Sequence, residues 1–292
     1  MTVPPKIRRI TAYCFSVRRW IVLAGLPVLL TGLWAQRPFR EYIPMEGRDS
    51  EAALPADYQN KAEVVLGRLM YPSGGGGGRG GGRGGGNWLN GGTNWTVDYP
   101  RGDRTFAVAI RRLTRIDVRS VEQPVNPDDG DEIFYSPYMH VGMPTNWNLS
   151  DAQAAKIREF LLRGGFMLCD SFFGTQEWEG FLVGMRKIFP DREIEDLPQE
   201  DPMFHTAYDV KERYQVGNFR SMLRNGNTYR ADGKEPYWRG VRDDHGRVMV
   251  AITFNNDLGD SWQLADDPRY PEKFSFLGIR LGVNFLLYTM TH

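Results

Sequence analysis

The chain has 292 residues, 41% of them hydrophobic and 25% charged, a composition that fits a globular domain long enough to bury its own core. Its formal net charge is zero, which speaks against nucleic acid as a partner.

That neutrality is unevenly distributed. Lys6, Arg8, Arg9, Arg18 and Arg19 are basic, and no acidic residue precedes Glu41. An uncharged apolar stretch, residues 20–36, follows the basic segment, with the small residue Ala35 near its end. The pattern predicts a signal peptide over residues 1–35, with an uncleaved membrane anchor as the alternative. The stretch is shorter than the ~20 residues of a spanning helix and contains Pro27. Arg18 and Arg19 before an apolar run also match a twin-arginine export signal. The expected location is the periplasm or cell envelope, with membrane contact only through an uncleaved leader. Cys14 lies in the leader, so a mature chain keeps Cys169 alone and stands without an internal disulfide.

Residues 36–57, with Pro38, Pro44 and Pro55, read as an irregular tail before a single α/β domain over 58–292. Residues 62–71 are apolar and β-branched, a first strand. The glycine-rich run 73–92 lacks the Gly-Lys-Ser/Thr ending of a phosphate loop, and its two arginines, Arg79 and Arg83, are too few for an RNA-binding segment. It reads as a flexible loop. Over 98–116 turn chemistry gives way to a helix with Phe106, Ala109, Ile110 and Leu113 on one face. Residues 131–141 read as a second strand, stopping near Pro137. Residues 148–165 form the clearest helix, with a capping box at Ser150 and Gln153 and a stop at Gly164 or Gly165. Residues 166–170 follow at once as an unalternating apolar strand, the mark of a buried parallel sheet. A helix over 177–190, a short edge strand within 191–198, a buried strand over 247–256 and a long closing helix over 270–292 complete the pattern. Residues 201–246 are rich in turn residues and aromatics and show no usable period. The alternation predicts an α/β fold with a mostly parallel sheet and helices on both faces.

In such a sheet ligands bind beyond the carboxyl ends of the strands. That rule selects Asp170 and Ser171 after one strand, Asn255, Asn256 and Asp257 after another, and Asp260 and Trp262 in the loop beyond. His205 joins the set as a polar group from the unplaced region. An acid directly after a buried strand is costly unless paired, solvated or ligand-bound, so Asp170 reads either as a turn cap or as a site residue. A nucleophile elbow needs small residues two before and two after the nucleophile. Around Cys169 these positions hold Met167 and Ser171, and the cysteine continues an apolar run, so it reads as packing. A calcium loop of the EF-hand type starting at Asn255 fails, because its sixth position is Asp260 and not glycine; a different oxygen-ligand site or sugar binding stays open. His140, His205 and His245 are too scattered for zinc, and no metal or cofactor is assigned. Trp178, Trp238 and Trp262 read either as core or as pocket walls.

Residues 162–205, 255–262 and 270–292 resemble a bacterial family known as domain of unknown function 4159. The resemblance implies a flavodoxin-like sheet similar to that of the class I glutamine amidotransferase-like superfamily, and a sugar-like ligand. The family's usual strand end is similar to Asp-Asp; here it is Cys169-Asp170, so only the second acid carries over. The Gly-x-Cys-x-Gly elbow of the amidotransferases is missing, and no glutaminase activity is expected. The leading expectation is an exported domain binding a small polar or carbohydrate-like ligand at Asp170, His205, Asn255, Asn256, Asp257, Asp260 and Trp262. A glycan hydrolase, with Asp170 or Asp257 as base and His205 as acid, and an envelope interaction module are the alternatives.

Overall fold

A computed structural model of the protein describes residues 39–73 and 87–292. The predicted leader (1–35) and the middle of the predicted glycine-rich loop (74–86) lie outside the described residues. Seven strands form one sheet: β1 (Leu66–Leu69), β2 (Gln123–Val125), β3 (Tyr138–Gly142), β4 (Phe166–Asp170), β5 (Glu195–Asp196), β6 (Tyr237–Arg242) and β7 (Val248–Phe254). Their order is β2-β1-β3-β4-β7-β6-β5. The first five in that order pair in parallel; β6 runs antiparallel to β7, and β5 antiparallel to β6.

The helices are α1 (Arg101–Leu113), α2 (Asp151–Leu162), α3 (Gly174–Ile188), α4 (Phe219–Asn225), α5 (Leu258–Gln263) and α6 (Glu272–Thr291). Two apolar layers sandwich the sheet. Phe106, Trp262, Leu281 and Phe285, from α1, α5 and α6, pack with Tyr138, Phe166 and Leu168 in one layer. Ile157, Phe160, Phe181 and Met185, from α2 and α3, pack with Met139, Met167 and Cys169 in the other. Adjacent residues of β4 alternate between the layers, as the two-residue period of a strand requires. The expected α/β class with a mostly parallel sheet is the one found.

Several elements differ from expectation. β3 begins after Pro137, where the sequence pattern places a strand end; residues Glu132–Tyr135 form a 3-10 turn. The buried face of α1 is Phe106, Ala107 and Ile110, while Leu113 is exposed. β2, β6, α4 and α5 have no predicted counterpart. The capping box of α2 is present: Gln153 N donates to Ser150 Oγ, and Ser150 N to the Gln153 side chain. The closing helix α6 is long and apolar enough to cross a membrane, yet 67% of its most apolar window is buried in the fold, and Asn284 on it anchors the 204–208 loop through four hydrogen bonds.

Strand β1, next to the edge strand β2, carries a fully buried Arg68. Its Nε donates to Asp103 (2.9 Å), its Nη1 to the carbonyls of Trp95 and Val97 (3.0 Å each), and its Nη2 to His140 Nδ1 (3.0 Å). A buried charge of this kind is tolerable when it is paired and hydrogen-bonded, as here. Burial, then the neighbouring Arg68, depresses the His140 imidazole to about 4, so it is neutral and accepts through Nδ1. Arg68→Met removes one partner and leaves Asp103 buried and unpaired. It is expected to cost about 3–5 kcal/mol in urea denaturation; a loss no larger than that of an average surface substitution would show the pair to be dispensable.

Candidate functional site

The carboxyl ends of β4 and β7 meet two other segments. Asp170 ends β4 and points toward α5, where Gly259 N donates to its Oδ2 (2.8 Å). Thr253 of β7 donates to its Oδ1 (2.5 Å). After β7 the chain turns sharply at Asn255 and enters α5, capped by Asp257, whose Oδ1 accepts from Asp260 N (3.1 Å). The corner preceding α1 brings in Asp98, held there because Arg68 grips the carbonyls of Trp95 and Val97 on either side of Thr96. Gly259 is required for this approach: a Cβ there would lie 2.0 Å from Asp98 Oδ2.

The result is a sealed group of four carboxyls, Asp98, Asp170, Asp257 and Asp260, all essentially buried. Oxygens of Asp98, Asp257 and Asp260 lie within 4.8 Å of one another. Ligand oxygens at that spacing can share a single calcium ion at its usual distance of about 2.4 Å. Ser171 sits among the carboxyls, with Oγ 2.9 Å from Asp257 Oδ1, 3.1 Å from Asp170 Oδ2 and 3.2 Å from Asp98 Oδ2. One hydroxyl carries one proton. It can serve only one of these three oxygens, so the other contacts need protons on the acids themselves or a positive charge between them. Asn218 Nδ2 donates to Asp257 Oδ2 (2.8 Å) and Asp260 Oδ2 (3.3 Å), and Phe219 N donates to Asp260 (2.7 Å).

The electrostatics agree with the geometry. Burial raises the Asp98 carboxyl far above its ordinary value, and Asp257 and Glu46 push it further. Burial and then Asp257 do the same to Asp260. Asp257 is raised by burial, and Asp170 is held at about 7 by burial and then Asp257. Among the described residues none of the four forms an ion pair; Arg68 and Arg230, which act on them at longer range, are paired to Asp103 and Glu177.

Three residues at this edge adopt left-handed backbone without being glycine: Asp98 (φ 58°), Ser171 (φ 65°) and Asn255 (φ 61°). Such conformations cost of order 1–3 kcal/mol each and gather where a surrounding structure over-determines them, functional sites included.

Of the sequence-predicted site residues, Asp170, Asp257 and Asp260 converge. Asn255 and Asn256 stand beside them as ties: Asn255 Oδ1 accepts from Gly174 N (2.8 Å), and Asn256 Oδ1 from Val216 N (2.9 Å). Trp262 is not at the rim. It lies in the core, stacked on Phe106 (4.3 Å, 9°), because residues 258–263 form a helix that turns it inward. His205 does not join the cluster either. Its Nδ1 engages Asp209 and its Nε2 the Gln199 carbonyl, 2.7 Å each. The 201–209 loop is tied to Arg242 and Asn284, toward the amino end of β7, where Val248 N meets Tyr288. Trp238 is core, and Trp178 lines a surface groove of about 270 Å³ with Leu182, Met185 and Phe189, on the α3 face. Asp98 and Asn218 are the members sequence reasoning missed. Asp98 precedes the Tyr-Pro-Arg-Gly turn, which marks a corner but not its destination.

Cys169 faces the α2/α3 layer, fully buried, and burial lifts its thiol well above the ordinary range. It has neither the thiolate nor the access of a nucleophile.

The fold and this edge define an α/β domain with a mostly parallel sheet and an acidic cluster at its carboxyl edge. The family model described as domain of unknown function (DUF4159) matches residues 87–290, and the chain belongs to that family. No curated protein matches it.

Two outcomes follow from burial. Because Asp170 titrates at about 7 in the fold, against 3.8 ordinarily, the native state holds its proton more tightly than the unfolded chain does. The associated stability is complete below about pH 4 and is lost as pH rises through about 7. The denaturation midpoint of the wild type should fall across that window more steeply than that of Asp170→Asn, which keeps the other raised carboxyls, Asp98, Asp257, Asp260 and Glu122. Cys169 should resist iodoacetamide in the native protein and react once urea unfolds it, as read by peptide mass spectrometry; rapid native labelling would contradict its burial.

Proposed function

We propose that this domain binds a small polar ligand at the Asp98–Asp170–Asp257–Asp260 cluster, and that the ligand supplies what the cluster is short of: positive charge or hydroxyl protons. The observation that carries this is the single Ser171 hydroxyl shared among three carboxyl oxygens. A hard divalent cation is the smallest ligand that meets the need, and three oxygens within 4.8 Å suit it. A sugar-like polyol, donating from several hydroxyls, meets the same need with a larger footprint.

The proposal includes a finer fold assignment. Numbered among themselves, the parallel strands run 2-1-3-4-5, the flavodoxin-like order. This supports kinship with the class I glutamine amidotransferase-like superfamily, while the burial of Cys169 argues against glutaminase chemistry. The basic and apolar leader supports export to the cell envelope. A second reading, a hydrolase acting on a glycan, draws on Asp170: a carboxyl held at about 7 can exchange protons near neutral pH.

Thermal-shift measurements on the protein with Ca²⁺, Mg²⁺, a chelator and a panel of neutral sugars test the proposal. A true ligand at a hundredfold excess over its Kd should raise the midpoint by about 5–10 °C, and Asp257→Asn should abolish the rise. If neither ions nor sugars move the midpoint, or if Asp257→Asn responds like wild type, the cluster is a structural lock and not a binding site.

A further inference from the structure

The carboxylate cluster is covered, and the cover is not uniform. On one side it is walled by α5, and by the α1 corner that Arg68 holds. On another lies the segment from Gly226, which ends α4, to Pro236, which precedes β6. None of residues 226–236 belongs to either apolar layer. Ala231, Asp232, Lys234 and Glu235 are exposed, and Ala231 is itself left-handed (φ 48°).

Polar contacts hold this segment down. Arg230 donates to the Ser171 carbonyl (2.9 Å) and pairs with Glu177 (3.0 Å). Asp232 accepts from Thr175 N (2.9 Å) and Thr175 Oγ1 (2.5 Å) at the start of α3. Gln215 donates to the Gly233 carbonyl (3.0 Å), and Asn255 to that of Glu235 (2.6 Å). Each anchor is at or beside a site residue, and Arg230 brings to Asp257 positive charge that favours its ionised form. A segment held by polar clasps and the contact of Arg230 with the Phe173 ring (5.0 Å), with no side chain in either apolar layer, belongs to the low-stability end of a structure.

We propose that residues 226–236 are a latch. It swings from Gly226 and Pro236, withdraws Arg230 from the strand ends and opens the route by which ligand reaches the carboxylates. The closed latch lends the cluster a cation at a distance; the ligand replaces it at contact with positive charge or hydroxyl protons. The purpose of the latch rests on the ligand-binding reading, but its opening does not, so the two fail separately.

Hydrogen–deuterium exchange on the protein without added ligand tests the opening. In Arg230→Gln the amides of 171–175 and 228–235 should exchange about tenfold faster, the factor expected for losing one charge-assisted contact, while those of β3 and β7 stay unchanged. Asp232→Ala, which releases the other clasp, should accelerate the same segments. Unchanged exchange in both variants overturns the latch. So does uniform acceleration through β3 and β7, which would mean that the segment is part of the cooperative core. A ligand screen without hits leaves this result standing and removes only its purpose.

Discussion

A single buried guanidinium organises the carboxyl edge. Arg68 lies buried within the sheet, where a charge is expensive, and all three of its nitrogens are engaged: with Asp103, with two backbone carbonyls and with Nδ1 of the neutral His140. The carbonyl contacts matter most for the site. They hold Trp95 and Val97 against β1, and so determine where Asp98 is delivered. Without that grip nothing on the α1 corner would push a carboxyl toward three others. The favourable ion pair below the edge thus holds an unfavourable assembly of acids above it.

Two kinds of buried acid result. Asp103 is in contact with Arg68, and that charge draws its carboxyl below the ordinary range despite the opposing effect of burial. Asp98, Asp170, Asp257 and Asp260 are satisfied by hydrogen bonds but not by contact with a cation, and all four are raised. Neutral donors such as Asn218, Ser171 and the Gly259 amide can orient a carboxylate, but they cancel little of its charge. A fold optimised for stability alone would replace such a set with apolar packing. The cluster and the three strained residues around it concentrate the cost at one edge, which the remaining core must offset.

Much of this edge was legible in the sequence. Asp170 and the Asn255–Asp260 run follow two apolar strands without alternation, and the rule that parallel strands end at one rim brings them together. The limits were set by length and distance. β2 has three residues with Pro124 in the middle, and α4 has seven, too few for either periodicity to show. α5 is equally short; unrecognised, it left Trp262 assigned to a loop, when one helical turn after Asp260 carries it into the core against Phe106. His205 was misplaced because the loop after β5 turns back along the sheet: Asp201 is tied to Arg242, the last residue of the antiparallel β6, which lies beside Val248 at the amino end of β7. Asp98 was invisible because its position depends on Arg68, 30 residues earlier across a glycine-rich run, and no local pattern encodes a buried ion pair.

The opposed fates of two adjacent residues show what decides chemistry at a strand end. Cys169 and Asp170 are neighbours, yet the pleat sends their side chains to opposite faces. Cys169 enters an apolar layer between Met167 and Phe181, where a thiolate would be unsolvated and no base is within hydrogen-bonding reach among the described residues. Asp170 enters the polar seam, where Thr253, Ser171 and Gly259 converge on it. A one-residue shift of register would exchange them, burying the acid in hydrocarbon and presenting the thiol to three carboxyls. Register in turn is secured by the apolar residues of β4, which fill both layers at once. The packing of Phe166, Met167 and Leu168, none of which touches the cluster by a polar contact, therefore determines that this edge offers oxygen atoms and not sulfur.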